Sequence, residues 1–81
     1  MPVSRQALLE LADRLTGGLR DLLQEGGLDG APPPLLDRIG ALAREMTVRR
    51  TLDDEGLAAL VGRASLILHD ARAWRGASLR H

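Results

Sequence analysis

Leucine residues recur at steps of three and four positions through the first third of the chain. Steps of this length place side chains on one face of a helix, so they predict an amphipathic α-helix over residues 4–25. Ser4 can accept a hydrogen bond from a free N–H group of the first turn, and Gly26-Gly27 supplies the left-handed residue that commonly ends a helix. The predicted apolar stripe consists of Leu8, Leu11, Leu15, Leu19, Leu22 and Leu23.

The pair Gly17-Gly18 lies inside this predicted helix. Glycine is a poor helix former, but the spacing of the apolar residues continues across the pair. The leucine spacing after the pair continues the spacing before it, whereas a break in the helix usually shifts the pattern. We therefore predict one helix through the pair, although glycine costs about 1 kcal/mol relative to alanine inside a helix. Gly18 falls on the apolar stripe, which predicts either a close contact with a neighbouring helix or a kink.

Residues 28–34 read LDGAPPP and are interpreted as a linker. Three consecutive prolines suit the entry of a helix but not its interior, so a second helix is predicted over residues 34–49, with Pro34 near its first turn. A polyproline ligand is the alternative, but no PxxP repeat with a flanking arginine accompanies the prolines. Glu45 and Arg49 have the spacing of an ion pair along this helix. Its predicted buried stripe consists of Leu35, Leu36, Ile39, Leu42, Ala43 and Met46.

A third helix is predicted over residues 52–75, ending near Gly76, with residues 77–81 as a flexible tail. Thr51 has capping-box spacing to Asp54 and is the predicted cap. The inner stripe of this helix consists of Leu57, Leu60, Val61, Ala64, Ile67, Leu68 and Ala71.

A second apolar set lies on another side of the third helix: Ala59, Gly62, Leu66 and Ala73. A helix that is apolar on two sides is usually covered on two sides. We therefore predict that these four residues face a partner, with Trp74 at the rim of the surface. Trp74, the only aromatic residue, has two interpretations, either a cap on the core or an exposed anchor for a partner.

Together these elements predict an all-α fold, an antiparallel bundle of three helices in a single domain over residues 1–76. Since a chain of 81 residues builds only a small core, we expect the bundle to be completed by dimerisation or by a helix of another protein.

Composition excludes several kinds of chemistry. The chain has no cysteine, and all 11 basic residues are arginine, which is consistent with a GC-rich bacterial genome. Disulfides, thiolate metal sites, a phosphate-binding Walker lysine and a Schiff base are therefore excluded. Neither a signal peptide nor a run of about 20 apolar residues is present, so a cytoplasmic location without membrane contact is expected.

No catalytic motif accompanies the two histidines, His69 and His81, and neither a cofactor nor a metal site is predicted. The acidic run from Asp53 to Glu55 is explained by the start of a helix, where negative charge is favourable. We therefore expect a protein that is not an enzyme.

Nucleic-acid binding is the alternative function. Residues 56–81 carry four arginines and one acidic residue, and phosphate binding needs several converging cations. Arg72 and Arg75, together with Arg49 and Arg50 if the preceding turn folds beside the C-terminus, are the candidate contacts. The net charge is zero and no helix-turn-helix motif is evident, so we prefer a protein-binding module, an adaptor, chaperone or regulatory subunit that binds another protein or itself.

Overall fold

The computed structural model describes residues 4–79, and these form an all-α bundle of three helices. Helix α1 spans Arg5–Gln24, α2 spans Pro33–Thr47 and α3 spans Asp54–Leu79, with a short 3₁₀ turn at Arg49–Thr51 before α3. The predicted fold class is therefore confirmed, and most helix ends lie within two residues of their predicted positions.

The end of α3 differs most from prediction, because the helix continues through Gly76 to Leu79. Gly76 lacks the positive φ of a helix-ending glycine, which within the described residues occurs only at Gly26 and Gly30. Residues 77–79 of the predicted tail are thus helical, while residues 80–81 lie outside the described residues. The flexibility of this segment stays a prediction.

Ion pairs between the helices show the direction of each one. Arg5 near the start of α1 bonds to Asp54 at the start of α3, and Glu25 after α1 bonds to Arg75 near the end of α3. Helices α1 and α3 therefore run in the same direction. Arg63 pairs with Glu45, while Arg38, earlier in α2, pairs with Asp70, later in α3. Helix α2 is consequently antiparallel to α3, and helices that follow one another along the chain are antiparallel.

The core consists of aliphatic side chains, and none of the buried side chains in the described residues is polar. Leu57 and Leu60 of α3 are fully buried. The inner stripe of α3 is confirmed, since all its members are buried except Val61, which is half-buried against the core.

The predicted stripes of α1 and α2 were too wide. Leu11 and Leu23 of α1, and Leu36 and Ala43 of α2, are exposed. The reason lies in the packing, because α1 and α2 contact each other little and each is covered mainly by α3, whereas α3 is covered by both and buries even the adjacent pair Ile67-Leu68. In each pair of adjacent leucines, Leu22-Leu23 and Leu35-Leu36, only the first residue is buried.

The glycine pair of α1 lies within an uninterrupted helix, as predicted. A Cβ atom built on Gly18 would lie 3.1 Å from Cδ2 of Leu68, whereas one on Gly17 would meet nothing within 4 Å. The predicted close contact at Gly18 is therefore confirmed, and its neighbour is α3.

Both ends of α1 have the predicted caps. Ser4 Oγ accepts a hydrogen bond from the backbone N–H of Ala7. At the other end Gly26 has φ 71°, its N–H donates to the carbonyl of Leu23, and the N–H of Gly27 donates to that of Leu22. This pair of bonds is the Schellman arrangement.

The segment between α1 and α2 does more than link them, because Leu28 and Ala31 are buried in the core. Helix α2 begins at Pro33, one residue before the predicted Pro34. Proline is suited to the first helical positions, where its missing N–H leaves no hydrogen bond unmade.

The predicted cap of α3 was wrong. Asp53 rather than Thr51 accepts a hydrogen bond from the N–H of Gly56, at 2.7 Å, whereas the Thr51 hydroxyl donates to the carbonyl of Val48 within the 3₁₀ turn. The 3₁₀ turn extends over Thr51 and moves the start of α3 two residues along the chain.

The predicted pair between Glu45 and Arg49 is also absent. Arg49 instead bonds to Asp13 of α1, and Glu45 to Arg63 of α3. Both side chains join different helices, so these pairs connect the three elements of the bundle.

Packing at Gly18 predicts different outcomes for the two glycines of the pair. The Gly18→Leu substitution should lower the free energy of unfolding by about 1–3 kcal/mol, because the new side chain overpacks the contact with Leu68. The matched control Gly17→Leu should not lower it, since its side chain points into open space and leucine favours the helix. Urea denaturation followed by circular dichroism measures both. Equal destabilisation by the two changes would contradict the packing described.

The position of the α3 cap predicts a second difference. The Asp53→Ala substitution should lower the free energy of unfolding by about 1 kcal/mol, because it removes a helix cap. Thr51→Ala should have a smaller effect, since the Thr51 hydroxyl makes only an exposed bond within the turn. Thermal unfolding of both variants compares the two positions, and a larger loss for Thr51→Ala would support the capping box that the sequence predicted.

Candidate protein-binding surfaces

The second apolar set of α3 is exposed in the structure. Ala59, Gly62, Leu66 and Ala73 lie together on the side of the helix that faces away from the core, and we call these four residues the outer face. Leu66 is 64% exposed, the largest fraction for any large hydrophobic residue in the described part of the chain. Its three companions are small, so a second helix could approach closely.

The edges of the outer face carry charge while its centre does not. Arg63 and Asp70 lie on the edge towards α2, and Ser65 and Arg72 lie on the edge towards α1. Arg63 makes a two-pronged contact with Glu45, at 2.8 and 2.9 Å, and Asp70 accepts from Arg38 at 3.0 Å. All four paired side chains remain about half-exposed, so each can still reach a partner.

A groove between α2 and α3 adjoins the outer face at Leu66. It encloses about 220 Å³, and its floor is apolar with the two ion pairs at its rim. The lining residues are Arg38, Ala41, Leu42, Glu45, Arg63, Leu66 and Ile67.

Trp74 matches neither of the two interpretations completely, since it is neither a fully buried cap on the core nor a fully exposed anchor. It is half-buried and packs against the core, so part of its ring contributes to stability. Its place at the rim of a binding surface stays a prediction.

A second apolar groove, between α1 and α2, was not predicted. It encloses about 210 Å³ and is lined by Thr16, Leu19, Arg20, Leu23, Ile39, Leu42, Ala43 and Met46. The sequence held no signal for it, because Leu22 and Leu23 both fit the apolar stripe of α1 and only the placement of the helices leaves Leu23 uncovered. Leu23 is 50% exposed at the edge of this groove.

The candidate nucleic-acid contacts do not form a single patch. The carbonyl of Arg50 accepts a bond from Arg5 at the start of α1, whereas Arg75 pairs with Glu25 beyond its end. The 20 residues of α1 separate these points by about 30 Å, at 1.5 Å per residue. Arg49 and Arg75 are also paired with carboxylates. The turn with Arg49 and Arg50 therefore lies far from Arg72 and Arg75, and the condition for a shared patch is not met.

The remaining polar side chains concern the possibility of a catalytic or metal site. His69 and Ser65 are exposed on α3. Among the described residues, no group of three or more histidine, cysteine or acidic side chains is placed to hold a metal ion. No helix in the same part of the chain combines the length and the apolar character needed to span a membrane.

Comparisons with protein families, with curated proteins and with solved structures find no match to this chain.

The position of Trp74 predicts a measurable contribution to stability. Removal of a fully buried aromatic side chain costs about 3–5 kcal/mol, so Trp74→Ala should lower the free energy of unfolding by about 2 kcal/mol for a half-buried ring. Val48→Ala, at a half-exposed residue outside both grooves, is the control and should change it by less than about 0.5 kcal/mol. Urea denaturation at fixed protein concentration measures both. An unchanged stability in Trp74→Ala would contradict a contribution of the ring to the core.

Proposed function

We propose that this chain is a non-enzymatic protein-binding module, an adaptor, chaperone or regulatory subunit, which acts through the outer face of α3. The observation that carries the proposal is the exposure of Leu66 at the centre of an uncharged helix face. Covering such a side chain releases the water around it, and full burial of a leucine contributes about 1.5–3 kcal/mol.

The neighbours of Leu66 keep the free-energy cost of covering the same face low. Ala59, Gly62 and Ala73 have little side-chain entropy to lose and no polar group that must be stripped of water. Their small size lets the backbone of a docking helix approach α3 closely. The groove between α2 and α3 can then receive a side chain of the partner beside Leu66.

The kind of partner that suits this surface is an amphipathic helix. Such a helix presents apolar residues at steps of three and four, which match the spacing along the outer face. The charged groups at the edge, Arg63 and Asp70, supply polar contacts at the rim, where the charged residues of an interface usually lie. The cytoplasmic location expected from the sequence remains a prediction.

Substitution at the centre of the outer face tests the function. Leu66→Asp should abolish any assembly larger than the monomer, and any protein that co-purifies with a tagged form of the chain, because it places a charge in the contact. Helicity should remain, since the side chain is mostly exposed. Light scattering, circular dichroism and mass spectrometry of the purified material measure the three quantities.

Two control variants give the result its specificity. Val48→Asp alters an apolar residue that is 49% exposed, in the turn after α2, and should leave assembly intact. Leu23→Asp alters the groove between α1 and α2. If Leu23→Asp abolishes assembly while Leu66→Asp does not, the outer face is not the binding surface.

A further inference from the structure

We infer that the partner of the outer face is a second copy of this chain, packed against it through an antiparallel, two-fold symmetric pair of α3 helices. The inference rests on the proposed function, since it names the occupant of the same surface. Two features carry it, namely the spacing of residues on α3 and the pattern of charge at one edge of the face, and the open space around Gly62 and Gly76 is compatible with it.

The outer side of α3 has the spacing of a coiled-coil seam. Ala59, Leu66 and Ala73 are separated by seven residues each, which is the heptad repeat of helices that pack side by side. The positions three residues after each of them supply the second half of such a seam. These positions are occupied by Gly62, His69 and Gly76.

An antiparallel pair fills this seam with complementary sizes. When Leu66 faces His69 of the second copy, Gly62 faces Ala73 and Ala59 faces Gly76, and two-fold symmetry repeats each contact. The two larger side chains then lie at the centre, with only alanine and glycine on either side. Small residues permit the close approach of two helices along the outer parts of the seam.

The edge towards α2 supplies charge complementarity. Arg63 and Asp70 are one heptad apart on this edge, and edge charges of this kind set the orientation of coiled-coil partners. In the antiparallel register Arg63 of one copy lies beside Asp70 of the other, twice by symmetry. Each is already paired on its inner side, Arg63 with Glu45 and Asp70 with Arg38.

The dimer therefore joins four charges of alternating sign across each contact. The order is Arg38 and Asp70 of one copy, followed by Arg63 and Glu45 of the other. A parallel pair would instead place Ser65 beside Asp70 and Arg72 beside Ala77, so that no opposite charges meet. The charge pattern thus selects the antiparallel arrangement, and the zero net charge of the chain adds no long-range repulsion between copies.

The glycines of the seam have no close neighbour within the chain. A Cβ atom on Gly62 or on Gly76 would meet nothing within 4 Å, although glycine weakens a helix in which alanine would fit. Packing inside the monomer accounts for Gly18, which lies against Leu68. Gly17 and Gly40 of the other helices have the same open space, so Gly62 and Gly76 leave room for a second helix without by themselves indicating one.

The first test exchanges charges between copies. Sedimentation equilibrium of the wild-type chain should give twice the monomer mass of 8.7 kDa. Arg63→Glu should weaken the dimer at least about tenfold, because the introduced carboxylate repels Asp70 of the other copy in both symmetric contacts. Asp70→Arg should weaken it similarly through two contacts between arginines. A mixture of the two variants in equal amounts should restore the dimer as a heterodimer, because both of its edge contacts join opposite charges.

The heterodimer holds two different edge contacts, and the signs of the charges in both of them distinguish it from either homodimer. One contact joins the introduced glutamate of the first variant to the introduced arginine of the second, and the other joins the native Asp70 of the first to the native Arg63 of the second. Both contacts therefore join opposite charges, whereas both contacts of each homodimer join like charges.

Both residues also pair within the chain, so folding must be followed separately. Circular dichroism of each variant measures helicity, and the mixture contains only the same two chains, so recovery of the dimer cannot arise from restored folding. If the variants dimerise as well as the wild type, or if the mixture stays as weak as its components, the antiparallel pairing is wrong.

A second test needs no charge change. Because the chain has no cysteine, an equal mixture of the single variants Gly62→Cys and Ala73→Cys should form a covalent dimer with one chain of each under mild oxidation, since these positions face each other, whereas neither variant alone should. Ala59→Cys alone should not, because the two copies of residue 59 lie about 25 Å apart in this register. A covalent dimer of Ala59→Cys, which only a parallel pair would bring together, or the absence of a mixed covalent dimer, would overturn the inference.

Failure of the inference can be told apart from failure of the proposed function. A wild-type chain that stays a monomer at all concentrations, but retains another protein in a manner that Leu66→Asp abolishes, overturns self-association and leaves the binding function standing. A chain that shows neither behaviour overturns both.

Discussion

Burial of the inner stripe of α3 between the other two helices is the interaction on which the structure depends. Leu57 and Leu60 are completely enclosed, and Ala64 and Ala71 of the same stripe have no exposed surface. The chain has no disulfide to hold its helices together, and its buried side chains are aliphatic. Stability therefore comes from apolar contact, and α3 supplies the surface that both α1 and α2 cover.

The ion pairs have a different part in the bundle. All five that connect described residues are partly exposed, and pairs of this kind contribute roughly 0–1 kcal/mol each. Their positions nevertheless match the direction and register of the helices, since Arg5 and Arg75 join the two ends of α1 to α3 and Arg38 and Arg63 join α2 to α3. They distinguish one alignment of similar leucine stripes from another.

The central position of α3 also explains why a binding surface lies on it. Helices α1 and α2 cover only its inner side, and a chain of this size has no fourth helix among its described residues to cover the outer side. Leu66 is consequently left in water, between glycine and alanine residues that would suit a close neighbour. The incomplete covering of one helix is thus the common origin of the stable core and of the proposed interface.

The sequence was sufficient for the helices and for the two sides of α3, because helical periodicity is local. It predicted the close contact at Gly18, the ends of α1, and a set of four residues that the structure leaves exposed. It failed where distant residues compete for one partner. Arg49 bonds to Asp13 rather than to its near neighbour Glu45, and the width of each buried stripe depended on how far apart the helices lie. Tertiary structure alone decided the grooves. A groove between α1 and α2 forms because both helices pack mainly on α3, which no pattern within a single helix can show. Arg50 and Arg75 lie far apart because α3 runs between them, and the helix predicted over residues 52–75 already implies this separation. Periodicity determines which side of a helix is apolar, whereas the arrangement of helices in space determines which apolar side chains are covered and which charges meet.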